Sequence, residues 1–267
     1  MAAPEERALE LRGRYTTQAQ AYKQLWAPVL LEFGMRLVGE LPNEKPGRVL
    51  DIGSGVGTLV PQLQATFPAA VVHAVDLAEG MLRLAPADVP RAVMDAACLA
   101  YAPKAFDVAL LAFVLFHLPE PGAALSEAKR VLRSGGWVGA ATWGSDLESK
   151  ATRVWDEILD AHGAPPLDDD ADLAHHELVD TPEKVRALLE AAGFDSIRAR
   201  VEPFERRIDR EHLVRLRTSV GRNKRRFDGL DGQAQRACLD AVGSALAALR
   251  PEDFVARAQL VFATARA

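Results

Sequence analysis

Cysteine is nearly absent: Cys98 and Cys238 are the only two in 267 residues, far apart and without metal-ligand spacing. A disulfide scaffold and a thiolate metal site are excluded, and both residues read as reduced core thiols in a cytoplasmic protein. No apolar run approaches the roughly 20 residues of a membrane helix. The start, MAAPEERALELRGRY, carries charges where an export signal needs an apolar stretch. Internal repeats and low-complexity tracts are missing too. His175 and His176 are adjacent, so they diverge on a helix or strand, and the aspartate run 168–170 lacks the glycine and glutamate of a calcium loop. No metal is expected.

What remains is an ordinary globular composition, 49% hydrophobic and 26% charged, in a chain long enough for one or two domains. The net charge of −5 argues against a dedicated nucleic-acid binder. It is unevenly spread, however. Residues 206–226 hold nine Lys/Arg against Asp209 and Glu211, a local +7 that leaves −12 elsewhere.

Tyr15, Ala19, Tyr22 and Trp26 share one helical face. Pro28 opens a second helix whose apolar face uses Val29, Leu30, Phe33, Leu37 and Leu41, and PNEKPG breaks it. From Arg48 the pattern alternates. Apolar strands are expected at 49–52, 71–75, 92–94, 108–113 and 137–142, with helices at 59–67, 79–84 and 123–132. Such alternation implies a buried parallel sheet with helices on both faces. Residues 144–180 read as a long loop or short helical insertion. Thr181-Pro182-Glu183 starts a helix that Gly193 ends, and a strand follows at 197–204. A helical region at 210–249 carries Ala234, Ala237, Ala241, Ala245 and Leu249 on one face, and 254–265 is the last strand. That strand completes the sheet, so the chain is read as a single domain.

The informative segment is VLDIGSGVGTL, residues 49–59. A strand runs into Gly53, Gly55 and Gly57, and a helix begins at once, so the backbone turns sharply and can approach a ligand. Asp76 ends the second strand nineteen residues later, where an acid accepts hydrogen bonds from ribose hydroxyls. Together these point to a nucleoside-containing ligand. The G-x-G-x-x-G of a dinucleotide site is absent, and Asp51 stands directly before the turn. That acid suits a ligand with an amino group and a sulfonium better than one with a pyrophosphate.

The stretch resembles motif I of the class I S-adenosylmethionine-dependent methyltransferases, in the branch with the ubiquinone and menaquinone biosynthesis enzymes. The likeness continues through DLAEGMLRLA and MDAACLAYAPKAFDVALLAFVLFHLPEPGAALSEAKRVLRSGGWVGAATW, covering residues 48–143. Upstream, YTTQAQAY is similar to the family's F-D-x-x-A-x-x-Y helix, with Thr16 where an acid is usual. The implied fold is α/β: a Rossmann-like, doubly wound, seven-stranded, mostly parallel sheet with an antiparallel last strand. A helical cap (1–46) precedes the cofactor core (47–143), and insertions at 144–180 and 205–252 form the substrate side.

The resemblance implies S-adenosylmethionine as cofactor and assigns its contacts. Asp51, Gly53 and Gly55 would hold the methionine end and Asp76 the ribose. Leu77 and Met81 would flank the adenine, whose amino edge Asp95 and the backbone of Ala96 would read. Leu111 and Phe113 would lie near the sulfonium, with Tyr15 and Tyr22 closing the site. In-line displacement relies mainly on holding two reactants in line, and a base matters only where the acceptor loses a proton. His117, after the fourth strand, is the candidate catalytic base, with loop orientation as the plainer reading. Trp143 is a candidate substrate wall or loop packing.

In 206–226, Leu213, Leu216 and Val220 form the expected buried face, with Arg210, Arg215, Arg217, Arg222, Lys224, Arg225 and Arg226 outward. This reads first as solvated surface, and otherwise as an anionic-substrate lid using Arg215 and Arg217, a subunit contact or an RNA-binding patch. Three functions follow: a small-molecule methyltransferase, an RNA methyltransferase, and a non-methylating binding protein on the same fold. A monomer or homodimer is expected.

Overall fold

The computed structural model describes residues 4–42, 45–145, 148–167 and 175–267. The aspartate run 168–170 lies outside the described residues.

Two helices come first, α1 (Pro4–Leu25) and α2 (Ala27–Glu40), joined at Trp26. Pro28 sits in the first turn of α2, and Val29, Phe33 and Leu37 form its buried stripe. The alternating segment follows as β1 (Arg48–Ile52), α3 (Val60–Thr66), β2 (Val71–Asp76), α4 (Glu79–Leu82), β3 (Arg91–Val93), β4 (Phe106–Ala112), α5 (Pro121–Val131) and β5 (Leu132–Trp143). Then come α6 (Lys150–Ala161), α7 (Pro182–Ala191), β6 (Asp195–Arg207), α8 (Arg210–Ser219), α9 (Gly221–Asp228), α10 (Gly232–Ala247) and β7 (Val255–Arg266).

The sheet order is β3-β2-β1-β4-β5-β7-β6. β1 pairs in parallel with both β2 and β4, and β4 with β5, whereas β7 runs antiparallel between β5 and β6. The chain winds one way from β1 to β3 and the other way from β4 onward. Right-handed crossovers therefore put α3 and α5 on opposite faces, and a crevice opens at the strand ends between β1 and β4. This is the expected Rossmann-like, doubly wound architecture. α2 packs on β5 at Gly139, where a Cβ would meet Leu37 Cδ1 at 3.3 Å.

Buried apolar residues form a large cluster around the sheet and a second among the later helices. The second is built on α6, a twelve-residue helix inside the segment expected as a long loop or short helical insertion. Its apolar residues Ala151, Val154, Trp155, Ile158 and Leu159 recur at helical spacing, and Ser149 and Thr152 close a capping box. Trp155, Leu159, Leu213, Phe227, Cys238, Val242 and Leu246 meet there. On α10 the buried face is Cys238, Val242 and Leu246, one position on from the alanine stripe expected, and Ala237 is exposed. Cys98 is exposed rather than in the core.

Candidate functional site

The turn after β1 holds Gly53, Gly55 and Gly57 at φ of +68°, +56° and +70°. L-residues rarely adopt this left-handed region, which explains the three glycines. A Cβ on Gly53 would fall on the Val114 side chain. One on Gly55 would make only ordinary van der Waals contacts, with Met81 Cε at 3.5 Å and Tyr22 Cε1 at 4.0 Å. The turn is pinned to β2 by the Ser54 N–H, which donates to the Val75 carbonyl at 2.9 Å.

Asp76, at the end of β2, organises the same turn. Its Oδ2 accepts from Gly55 N and its Oδ1 from Ala78 N, both at 2.8 Å, and the Leu77 N–H adds a third donor. Burial outweighs these donors and holds the carboxyl above its usual range. Asp51 is buried at the end of β1, and no protein group bonds its Oδ2. Burial, and then the charge of Asp76, push Asp51 up to about 7. The phenol of Tyr22 is raised by the same two causes, burial before Asp76. A buried carboxylate oxygen with no protein hydrogen bond, beside the uncrowded Gly55, is what a cationic ligand such as an ammonium or sulfonium would complete. The donor set therefore fits S-adenosylmethionine.

Asp95, just past β3, is exposed and accepts from Ala97 N at 2.8 Å, while Ala96 is buried. Met81 is buried in α4 and Leu77 half-buried. Leu111 lies fully within the core. Phe113 has φ +60°, a strained value for an aromatic residue, and its ring packs against Trp143 at 5.0 Å and Phe33 at 5.6 Å. Trp143 does not wall an open pocket: it is 7% exposed and stacks on Trp26 at 6.1 Å.

His117 ends a 3₁₀ turn (Leu115–His117) that also carries Val114 over the glycine turn. Its Nε2 lies 3.1 Å from the Tyr15 hydroxyl, and Phe116 flanks its ring at 4.0 Å. Burial, with Arg14 and His175 adding positive potential, pushes His117 down to about 3, so its imidazole is neutral. Its Nδ1 is buried with no protein hydrogen-bond partner. Tyr15 meets the Tyr22 ring edge-on at 5.8 Å, and Arg14 lies 5.6 Å over the Tyr15 ring. The tyrosine face of α1 thus connects Gly55 to His117. Arg14 and His175 were missed, because an arginine inside a helix and a histidine after an acidic stretch of sequence carry no local signal.

The basic segment is less outward than expected. Arg226 is 8% exposed, pairs with Asp160 and donates to the Pro165 carbonyl at 3.1 Å. Asn223, buried, donates to Asp156 Oδ1 at 2.9 Å and accepts from Arg217, which is half-buried. Arg225 pairs with Glu10 of α1 at 3.0 Å. Arg210, Arg215 and Arg222 remain exposed.

Residues 50–140 match the family described as Methyltransferase domain. The malonyl-acyl-carrier protein O-methyltransferase of Geobacter sulfurreducens is 32% identical over 159 residues, 57% of this chain and 57% of that protein. The ubiquinone/menaquinone biosynthesis C-methyltransferase of Syntrophotalea carbinolica is 35% identical over 120 residues, 40% of this chain and 51% of that protein. The chain thus spans about half the length of the curated relatives it matches. Among solved structures, phosphoethanolamine N-methyltransferase 2 of Haemonchus contortus with S-adenosyl-L-methionine aligns with a TM-score of 0.54 at 20% identity, over 94% of this chain and 57% of that one. That likeness shows the fold.

Proposed function

We infer that this chain, whose residues 50–140 form a domain of the class I S-adenosylmethionine-dependent methyltransferases, in the branch with the quinone-biosynthesis enzymes, transfers a methyl group to a small-molecule acceptor. The observation that carries the reading is the buried Asp51–Asp76 pair around the glycine turn, at the crevice where the sheet order reverses.

When bound, the cofactor supplies an activated methyl group on a sulfonium leaving group. Asp51 and the backbone of Gly53 and Gly55 hold its methionine end, with Asp51 ionised by the positive charge it meets. Asp76 keeps the turn shaped and turns its remaining lone pairs to the ribose hydroxyls. Leu77 and Met81 flank the adenine, and Asp95 and Ala96 N–H read its amino edge. The backbone at Leu111 and Phe113 bounds the sulfonium end. Tyr15 and Tyr22 cover the site and exclude water. His117, kept neutral by burial and hydrogen-bonded to Tyr15, orients the loop after β4 at the rim of the site; its resistance to protonation makes it a weak base for an acceptor that must lose a proton. The insertions at 144–180 and 205–252 shape the acceptor side, where exposed Arg215 is a contact for an anionic acceptor and half-buried Arg217 a more recessed one. Withdrawal of Arg217, Arg225 and Arg226 from the surface weakens the RNA reading.

Calorimetric titration with S-adenosylmethionine, followed by a screen of small acceptors for S-adenosylhomocysteine release, tests this. Binding and release support it; a protein that fails to bind the cofactor ends it.

A further inference from the structure

Residues 221–226 of the basic segment have no place in the reading above, yet they touch the helix that covers the cofactor side. Gln18 Oε1 of α1 accepts from Gly221 N, the first residue of α9, at 3.0 Å. One turn further along α9, Arg225 pairs with Glu10 of α1 at 3.0 Å. The same helix is rooted on its other side. Arg226 reaches Asp160 and the Pro165 carbonyl, Asn223 reaches Asp156, and Phe227 enters the apolar cluster of α6, α8 and α10. On its far side α1 rests directly on the cofactor turn region. Thr16 lies so close to Gly80 that a Cβ there would come within 2.6 Å of the Thr16 carbonyl, and Lys23 Nζ donates to the Leu84 carbonyl at 2.8 Å.

We propose that α9 is a latch: anchored inward by Asn223, Arg226 and Phe227, it holds α1 shut over the cofactor through Gly221 and Arg225. The basic residues of 221–226 then serve an intramolecular clasp, and the rate at which cofactor leaves is set by how often the Gln18 and Glu10 contacts open. The proposal rests on α1 covering the cofactor, as read above. Neither Gln18 nor Glu10 touches the cofactor site, so a change there acts only through the lid. One net hydrogen bond is worth about a threefold to tenfold change in an opening equilibrium.

The experiment is stopped-flow release of S-adenosylhomocysteine, alongside amide hydrogen exchange across residues 8–25 in the full chain. Gln18→Ala and Glu10→Arg are each expected to speed release about threefold to tenfold and to raise exchange in α1. Adding Arg225→Glu to Glu10→Arg restores both by reversing the pair, which a merely destabilised chain would not do. Faster exchange with unchanged release, or no rescue by the reversed pair, overturns the latch alone. Absence of cofactor binding in the unaltered protein overturns the reading of the site and the latch with it.

Discussion

Asp76 accepts from Gly55 N in the glycine turn and from Ala78 N just after β2, and it is also the proposed ribose partner, so its loss is expected to have two consequences. Asp76→Ala is expected to weaken cofactor binding by about tenfold or more and to destabilise the chain by about 1–3 kcal/mol. Asp76→Asn keeps one acceptor and separates the effects in calorimetry and urea titration. Asp51 carries a pH signature. Its folded pKa of about 7 lies above the ordinary 3.8, so the folded chain binds an extra proton between those values. Its stabilising effect is therefore full below about pH 4 and is lost as pH rises through 7, at most about 4 kcal/mol. Thermal unfolding of the ligand-free protein at pH 5.5 and 8.5 should show this slope, and Asp51→Asn should remove it. Cofactor affinity runs the other way, strengthening toward pH 8 as Asp51 ionises more easily. For His117→Ala the expected loss in kcat is modest, about tenfold or less, with cofactor affinity unchanged; loss of all activity in a folded chain would make His117 the base. Asp51, Asp76 and the glycines were legible because each stands at a strand end with a fixed spacing. Arg14 and His175 were not, since only folding brings α1 and the turn at His175 to His117.

At the scale of elements, the alternating segment was readable because buried parallel strands are apolar throughout and their helices are capped and broken by proline and glycine. β1, β2 and α7 fall within a residue or two of expectation. The bounds of α6 were blurred by its surroundings rather than by its own sequence: a proline-bearing acidic stretch follows it and left the insertion between a long loop and a short helix. The outward assignment of Arg217 and Arg226 failed for a different reason. A charged residue is buried when an acid waits for it, and Asp156 and Asp160 lie on α6. The fit between α1 and α4 is a testable element contact. Gly80→Ala puts a methyl group within 2.6 Å of the Thr16 carbonyl, so α1 must lift. Weaker cofactor binding and faster tryptic cleavage at Lys23 are expected, with the circular dichroism of the chain preserved.

For the whole molecule, the apolar clusters divide the labour. The largest fixes the sheet; a second, centred on Trp155, fixes the helices of the second half; and a small third one, with Ala19, Val56 and Met81, seats α1 beside the glycine turn. Trp155→Ala should cost about 3–5 kcal/mol, as large-to-small core changes do. Urea unfolding measures that loss. Cofactor titration below the transition should find affinity less affected than acceptor turnover. The position of β7 has a consequence in time. It lies between β5 and β6, paired with β6 from residue 255 to 266 and with β5 from 260 to 266, although it is made after either. During synthesis on the ribosome, β6 emerges with no neighbour to join, and β5 keeps one flank bare until residues 255–266 arrive. Pro203 and the alternating charges Arg198, Arg200, Glu202 and Glu205 on β6 make it a poor template for other nascent chains through that interval.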